Sequence, residues 1–328
     1  MTPVTFPLLK LPLLTIKHVF LVMTMEQIYD FSYCSKKAQG TLKSCNGKNV
    51  EISVYFSGDC KINFHRKNQW TENFSLYLKN IIPGCSKSEH FFESSNGRNI
   101  QLNSSPEPLE AAMSIIDHLF NTFDMEVSEF FIDGDCVQHH FRSMVQSFFQ
   151  RQNVLNNVLS FGLIDREDLK YFIENSTVRN GFGASYLTIE NPYNLNLNIK
   201  ELSIEYAEWL TVSNLLTTSF ETGIIVALEW TLNDFITFLN AWKDGWNPKL
   251  SHLKISSYNF YFQDFAENLP FGTIREDTVV RNCQYELGTP KTHQIKGGVD
   301  IRSNDGKLAT VFGSGVRSCA TEIHVWDE

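Results

Sequence analysis

The sequence predicts an α/β protein in which three short N-terminal helices precede an irregular α/β region that also carries β-hairpins. Three observations lead to this. Apolar residues recur at helical spacing over residues 5–46, the pattern changes to alternation around Gly-containing turns from Val50, and helix-like and strand-like stretches take turns from Pro106 onward. The 328 residues, 42% hydrophobic and 13% aromatic, supply a substantial core for one large or two smaller domains.

In the N-terminal stretch, Pro12 suits the first turn of a helix, where its missing N–H is no loss. Leu13, Ile16, Phe20 and Met23 follow at helical spacing, and Leu14 and Val19 widen the stripe. The pattern restarts at Ile28, Phe31 and Ser32, and a third helix runs from Ser35-Lys36-Lys37 to Leu42. So small a bundle cannot bury enough to stand alone. Its apolar residues exceed the needs of one small core, so some of them await a partner. A secretory signal would also be apolar, but Lys10, Lys17, His18 and two prolines interrupt any such run. A plain helical cap on the following region is the other alternative.

The same residues carry a resemblance. Leu11-Pro12, Val19-Phe20, Met23, Ile28, Phe31-Ser32 and Ser35-Lys36-Lys37 fall without a gap in the register of an F-box, and the opening Phe6-Pro7-Leu8-Leu9 resembles the large nematode-expanded F-box families. Thr24-Met25 stands where Asp-Pro is usual, Gln27 replaces an acid, and Ala38 occupies a position that is often Trp. The resemblance implies docking on a Skp-type adaptor and, through it, on cullin. Leu8, Leu9, Leu11, Pro12, Ile16, Val19, Phe20, Ile28 and Phe31 are expected to form the adaptor contact and its supporting core.

Beyond residue 46, Val50, Ile52, Val54 and Phe56 alternate, Ser57-Gly58-Asp59 turns the chain, and Ile62 and Phe64 return it as a hairpin. A second pair, Glu89–Phe92 and Asn99–Leu102, brackets Asn96-Gly97, the strongest short hairpin signal. Leu109, Met113, Ile116, Leu119 and Phe120 then line one helix, and Val127–Ile132 follows as a strand. The unit recurs: helices near 141–150, 165–173, 213–216 and 232–242 alternate with strands at 158–161, 186–189, 199–204, 224–226 and 250–255. Ile199–Ile204 and Leu250–Ile255 share the form Leu-x-x-Leu-x-Ile, with Ile in the first place of the former, and strand starts lie roughly 15 to 29 residues apart. This predicts a leucine-rich-repeat-like α/β stack of parallel strands, with an ordinary α/β sandwich as the alternative.

A second resemblance lies here. Phe238-Leu239, Trp242, Gly245, Asn247-Pro248, Leu250 and Leu253 look like the core of the type-two F-box-associated domain, as does Gly297–Val311, a hairpin turned by Asn304-Asp305-Gly306. Two domains are therefore expected: an F-box at 5–46 and an F-box-associated, repeat-like α/β substrate-recognition domain at 47–328. The second domain should fold without residues 1–45. Together the resemblances imply the substrate-recognition subunit of a Skp/cullin/F-box ubiquitin ligase, a protein-protein interaction component of the Ubl conjugation pathway working inside the cell, cytoplasmic or nuclear. The alternatives are an adaptor-binding module acting outside ubiquitination and an enzyme with an unrecognised site. In a stack of strands the outward side chains meet the partner, which singles out Tyr186, Glu201, Ser203, Glu205 and Lys254 and favours a protein substrate with a basic patch.

Composition narrows the remaining classes. A net charge of −9 argues against sequence-independent nucleic-acid binding. No apolar run reaches the length of a membrane span. The cysteines at 34, 45, 60, 85, 136, 283 and 319 form no Cys-x-x-Cys pair and read as reduced structural thiols. Asp133, Asp135, His139 and His140 resemble a metal cluster by composition alone and read as a turn before a helix, while Gly181-Phe182-Gly183 and Gly313-Ser314-Gly315 lack the setting of a phosphate loop. No nucleophile elbow or metal motif is present, so no enzyme, no metal and no cofactor is expected.

Overall fold

The computed structural model describes residues 8–46, 50–66, 69–79, 97–101, 108–123, 127–137, 140–162, 164–185, 194–206, 208–227, 229–263, 266, 271–286, 290–313 and 320–326. It is mixed α/β and divides into two compact units, Met1–Asn156 and Asn157–Glu328. The sequence-derived boundary at 46/47 falls inside the first of these.

The first unit opens with a single 3-10 turn, Leu8–Lys10, and three helices, α1 (Leu13–Val22), α2 (Met25–Cys34) and α3 (Lys36–Asn46). α2 begins with a reciprocal cap. The Gln27 N–H donates to Thr24 Oγ1 (3.2 Å) and the Thr24 N–H to Gln27 Oε1 (2.9 Å), so these two residues satisfy end-of-helix donors. Met25, next to the cap, is buried, as is Ala38. Strands β1 (Val50–Phe56), β2 (Cys60–Arg66), β3 (Gln69–Lys79) and β4 (Gly97–Gln101) follow, then α4 (Pro108–Phe123), β5 (Val127–Asp133), α5 (Gly134–Val137) and α6 (Phe141–Phe149). Their sheet runs β5-β1-β2-β3-β4.

The expected β1–β2 hairpin is present, closed by Phe56↔Cys60 across Ser57-Gly58-Asp59. β4 pairs with β3 in parallel; Asn96 and Glu89–Phe92, the other parts of the second expected hairpin, lie outside the described residues. Asp133 accepts a bond from the Cys136 N–H and starts α5, as a turn before a helix should, while His139 lies outside the described residues.

The helices are fastened to this sheet. Tyr29 of α2 packs on Phe64 and Phe74, with ring centroids 6.0 and 5.7 Å away. The buried Arg66, at the end of β2, donates to the carbonyls of Phe20 (2.6 Å) and Met23 (2.8 Å). These are carbonyls at the end of α1, where no further helical N–H arrives and the helix dipole favours a cation. Arg98 of β4 pairs with Asp30 (2.6 Å) and Glu26 (2.8 Å) of α2 and holds the Asp30 carboxyl below its usual range. From α4, His118 stacks on Tyr33 at 3.8 Å and shares hydrogen bonds with Ser32 and Gln39.

In the second unit, the chain continues as β6 (Val154–Phe161), α7 (Arg166–Asn175), β7 (Thr177–Ser185), β8 (Glu201–Glu205), α8 (Val212–Leu215), β9 (Thr222–Val226), α9 (Leu232–Lys243), β10 (His252–Ser256), β11 (Thr273–Glu286), β12 (Pro290–Arg302), β13 (Leu308–Gly313) and β14 (Ala320–Trp326). The strand order is β6-β7-β8-β9-β10-β14-β13-β12-β11. β7, β8, β9 and β10 pair in parallel in sequence order, with α8 between β8 and β9 and α9 between β9 and β10. β11 to β14 are antiparallel, and the expected β12–β13 hairpin closes at Arg302↔Leu308.

One sheet face is apolar. Leu202, Ile204, Ile225, Leu253 and Ile255 are buried, together with Phe235, Phe238, Leu239 and Trp242 of α9. α9 begins with a second reciprocal cap, Thr231 with Asp234. It ends in a Schellman turn: Gly245 at φ +98° donates to the Trp242 carbonyl and the Trp246 N–H to that of Ala241. Asn247 then donates to the Phe220 carbonyl (2.8 Å), which fixes the return into β10.

Candidate protein-interaction surfaces

Two surfaces emerge, one in each unit. In α1 the residues on one side, Ile16 and Phe20, are buried, and Val19 is half-buried; Ile28 is buried beneath them and Phe31 meets Phe20 edge-on at 5.3 Å. These five residues hold the bundle. Leu8, Leu9 and Leu11 are half-buried and Pro12 is exposed. At 100° per residue Leu14, His18, Leu21 and Val22 share the opposite stripe. Leu14 is 68%, Leu21 55% and Val22 82% exposed, and Leu13 beside them 49%. Periodicity in the sequence singled out the inner side of this helix and missed the outer one. The signal was present: Leu14, Leu21 and Val22 are apolar residues outside the stripe that Ile16 and Phe20 form.

The second surface is the sheet face opposite α9. Glu201, Ser203 and Glu205 lie on it along β8, with Glu201 exposed and the other two half-buried. Lys254 is half-buried on the same face of β10, facing Ile224 of β9, which in turn faces Ser203. Two strand spacings, about 10 Å, therefore separate Ser203 from Lys254. Tyr186 lies outside the described residues. In β7, beside β8, a Cβ at Gly183 would clash with Leu159 Cδ2. The Gly-Phe-Gly motif is thus a strand over which Leu159 lies.

Beyond Lys254 the face carries a polar network that sequence reasoning did not find. His252 Nε2 lies 3.1 Å from Glu322 Oε2, and the His324 ring meets Trp326 edge-on at 4.4 Å. Trp326 Nε1 donates to Thr310 Oγ1 (2.8 Å), and that hydroxyl donates to Asp300 Oδ1 (2.7 Å). Arg281 pairs with Asp300 at 3.2 Å and lies 5.2 Å over Trp326. The donors and acceptors come from five strands, β10 to β14, and bond to one another, which makes this network a brace for that part of the sheet rather than an exposed acid–base pair. Its members are far apart in sequence, and only the strand register brings them together.

Among the described residues, no group of three or more His, Cys, Asp or Glu side chains is placed to hold a metal. Burial pushes the Cys45 and Cys60 thiols upward, away from the thiolate a nucleophile needs. No helix among the described residues is long and apolar enough to cross a membrane. What both surfaces offer is contact area.

Comparison with known proteins agrees in part with the sequence resemblance. Residues 192–255, from the segment before β8 through most of β10, match the family described as F-box associated. No curated protein and no solved structure matches the chain.

Proposed function

We propose that the protein is the substrate-recognition subunit of a Skp/cullin/F-box ubiquitin ligase. In this reading residues 5–46 form the F-box and seat the adaptor, and the region from 47 onward is a repeat-like α/β recognition domain that presents a protein substrate. The observation that carries it is a conjunction: a segment similar to F-box-associated domains follows a three-helix bundle whose first helix leaves Leu14, Leu21 and Val22 in solvent. Three exposed aliphatic side chains on one stripe are the usual mark of a protein contact. In the recognition domain, Glu201, Ser203, Glu205 and Lys254 form the outward row, with Tyr186 its sequence-derived neighbour.

The test is capture of a Skp-type adaptor and cullin from cell extract by the tagged full-length chain. A Leu14→Asp, Leu21→Asp variant and a Leu11→Ala, Pro12→Ala variant should both lose adaptor and cullin together, with unfolding temperature unchanged. Adaptor capture by the folded double-Asp variant would overturn the assignment of the stripe. Charge reversal at Glu201 and Glu205 should leave adaptor capture intact and release the substrate. Substrate retention would remove the row from the reading.

A further inference from the structure

The carboxyl ends of β8, β9 and β10 open into three consecutive loops that are laced to one another. Trp230, after β9, donates its indole N–H to the Leu210 carbonyl after β8 (2.7 Å) and accepts at its own carbonyl from Ser257 Oγ after β10 (2.7 Å). Ser257 Oγ also accepts the Asn259 N–H (3.1 Å), and the Ala227 N–H extends the β9–β10 pairing to the Ser256 carbonyl (3.0 Å). The strands beneath are adjacent and in register, so the loops start within about 10 Å of one another.

On this braced rim three large aromatic side chains face water: Tyr258 at 68%, Tyr261 at 45% and Tyr206 at 38% exposure. Tyr206 sits there in a left-handed conformation, φ +55°, which a non-glycine residue adopts only under local constraint. Glu208 and Glu229, both exposed, come from the same loops. Exposed tyrosines give rigid, amphipathic contact area at low entropic cost, and their ring faces attract cations. Carboxylates beside them add charge of the sign that selects arginine and lysine.

We propose that this rim is a docking site for a basic, arginine-bearing peptide segment, whose guanidinium groups stack on Tyr258, Tyr261 and Tyr206 and pair with Glu208 and Glu229. The proposal rests on the substrate-recognition reading above and adds an anchor at the loop end of the strands to the outward row. Arginine is favoured over lysine because its planar cation both stacks and bonds in a fork.

The test uses the full-length chain and fluorescein-labelled nine-residue peptides of Gly and Ser carrying three arginines, three lysines, three citrullines or three glutamates, read by anisotropy at physiological salt. The arginine peptide should bind saturably, the lysine peptide several-fold more weakly, and the citrulline and glutamate peptides not measurably. Tyr258→Ser with Tyr261→Ser, and separately Glu208→Lys with Glu229→Lys, should each weaken arginine-peptide binding at least tenfold, whereas Glu174→Lys on α7 should leave it unchanged. These sites are exposed, and unchanged thermal unfolding confirms intact folds. Equal affinity of the tyrosine variant, or equal binding of arginine and lysine peptides, would reduce the effect to general charge attraction and overturn the proposal, as would no binding at all. Adaptor capture is measured on the same preparations. Peptide binding without adaptor capture upholds the rim and rejects the ligase, and the reverse outcome rejects the rim alone.

Discussion

Replacing Arg66 by Met should loosen α1 from its sheet. Met keeps the aliphatic stem and removes the guanidinium, leaving the Phe20 and Met23 carbonyls without a donor that now reaches them at 2.6 and 2.8 Å. A hydrogen bond from a charged donor contributes about 1.5–3 kcal/mol, and a buried acceptor left unsatisfied costs about 1–3 kcal/mol. The bond to Phe20 is buried and that to Met23 only partly so, and removing a buried cation returns some desolvation energy. The net loss should be about 2–4 kcal/mol. In a unit of this size that lowers the melting temperature by about 5–15 °C. Arg98→Met provides the contrast. Its ion pairs with Glu26 and Asp30 are made by a side chain 40% exposed and screened by salt, so the loss should stay within about 1 kcal/mol and shrink in high salt. Thermal denaturation measures both variants, and hydrogen exchange locates the effect in the amides of α1. Equal losses for the two variants, or unchanged protection in α1 of the Arg66 variant, would refute the reasoning.

Deleting residues 1–45 removes Tyr29 from Phe64 and Phe74 and both carbonyl partners from Arg66. The remainder should therefore aggregate or bind a hydrophobic dye, contrary to the autonomy expected from sequence alone, and a monomeric, cooperatively melting fragment would restore that expectation. Thr24→Ala breaks the cap of α2 and should cost about 1 kcal/mol in chemical denaturation. His118 is held neutral by burial, its pKa below the ordinary value of 6.5. Because the unfolded chain takes up that proton first, the stability linked to His118 is complete above about pH 6.5 and is lost as pH falls through the lowered native value. Melting curves between pH 8 and 5 should thus fall more steeply for the native protein than for His118→Gln; parallel curves would contradict this. Gly245→Ala should cost about 1–2 kcal/mol because of its φ of +98°, with no steric contribution since no atom lies within 4 Å of the added Cβ. Asn at 245 should be tolerated better in the same melting assay.

Much of the fold could be read from short-range pattern, because caps, turns and alternating strands are local. The helices of the bundle, the Ser57-Gly58-Asp59 hairpin and the strands β8 to β10 all announce themselves that way. β3 did not, because Phe74, Ser75, Leu76, Tyr77 and Leu78 are all buried and no alternation remains to be seen. β11 did not either: among the described residues it ends the strand order, and Thr273–Glu286 shows no regular apolar alternation in the sequence. Periodicity marked the inner side of α1, but that Leu14, Leu21 and Val22 stay uncovered was not legible, since only the position of Arg66 and the helices around α1 decides which apolar residues are covered. The polar network from His252 to Arg281 depends on a strand register that no local pattern encodes.

The lacing of the three loops has a consequence for how such a protein can diverge. Trp230 fastens its neighbours through main-chain carbonyls and one serine hydroxyl, so these bonds make no demand on the side chains at 208, 229 and 258. Changes at those positions alter what the rim meets without disturbing how it is built. A duplicated copy of the chain could therefore acquire a new partner by a few surface substitutions while Trp230 and Ser257 stay in place, and the expected signature among duplicates is rapid change at positions 208, 229 and 258 around a fixed Trp230.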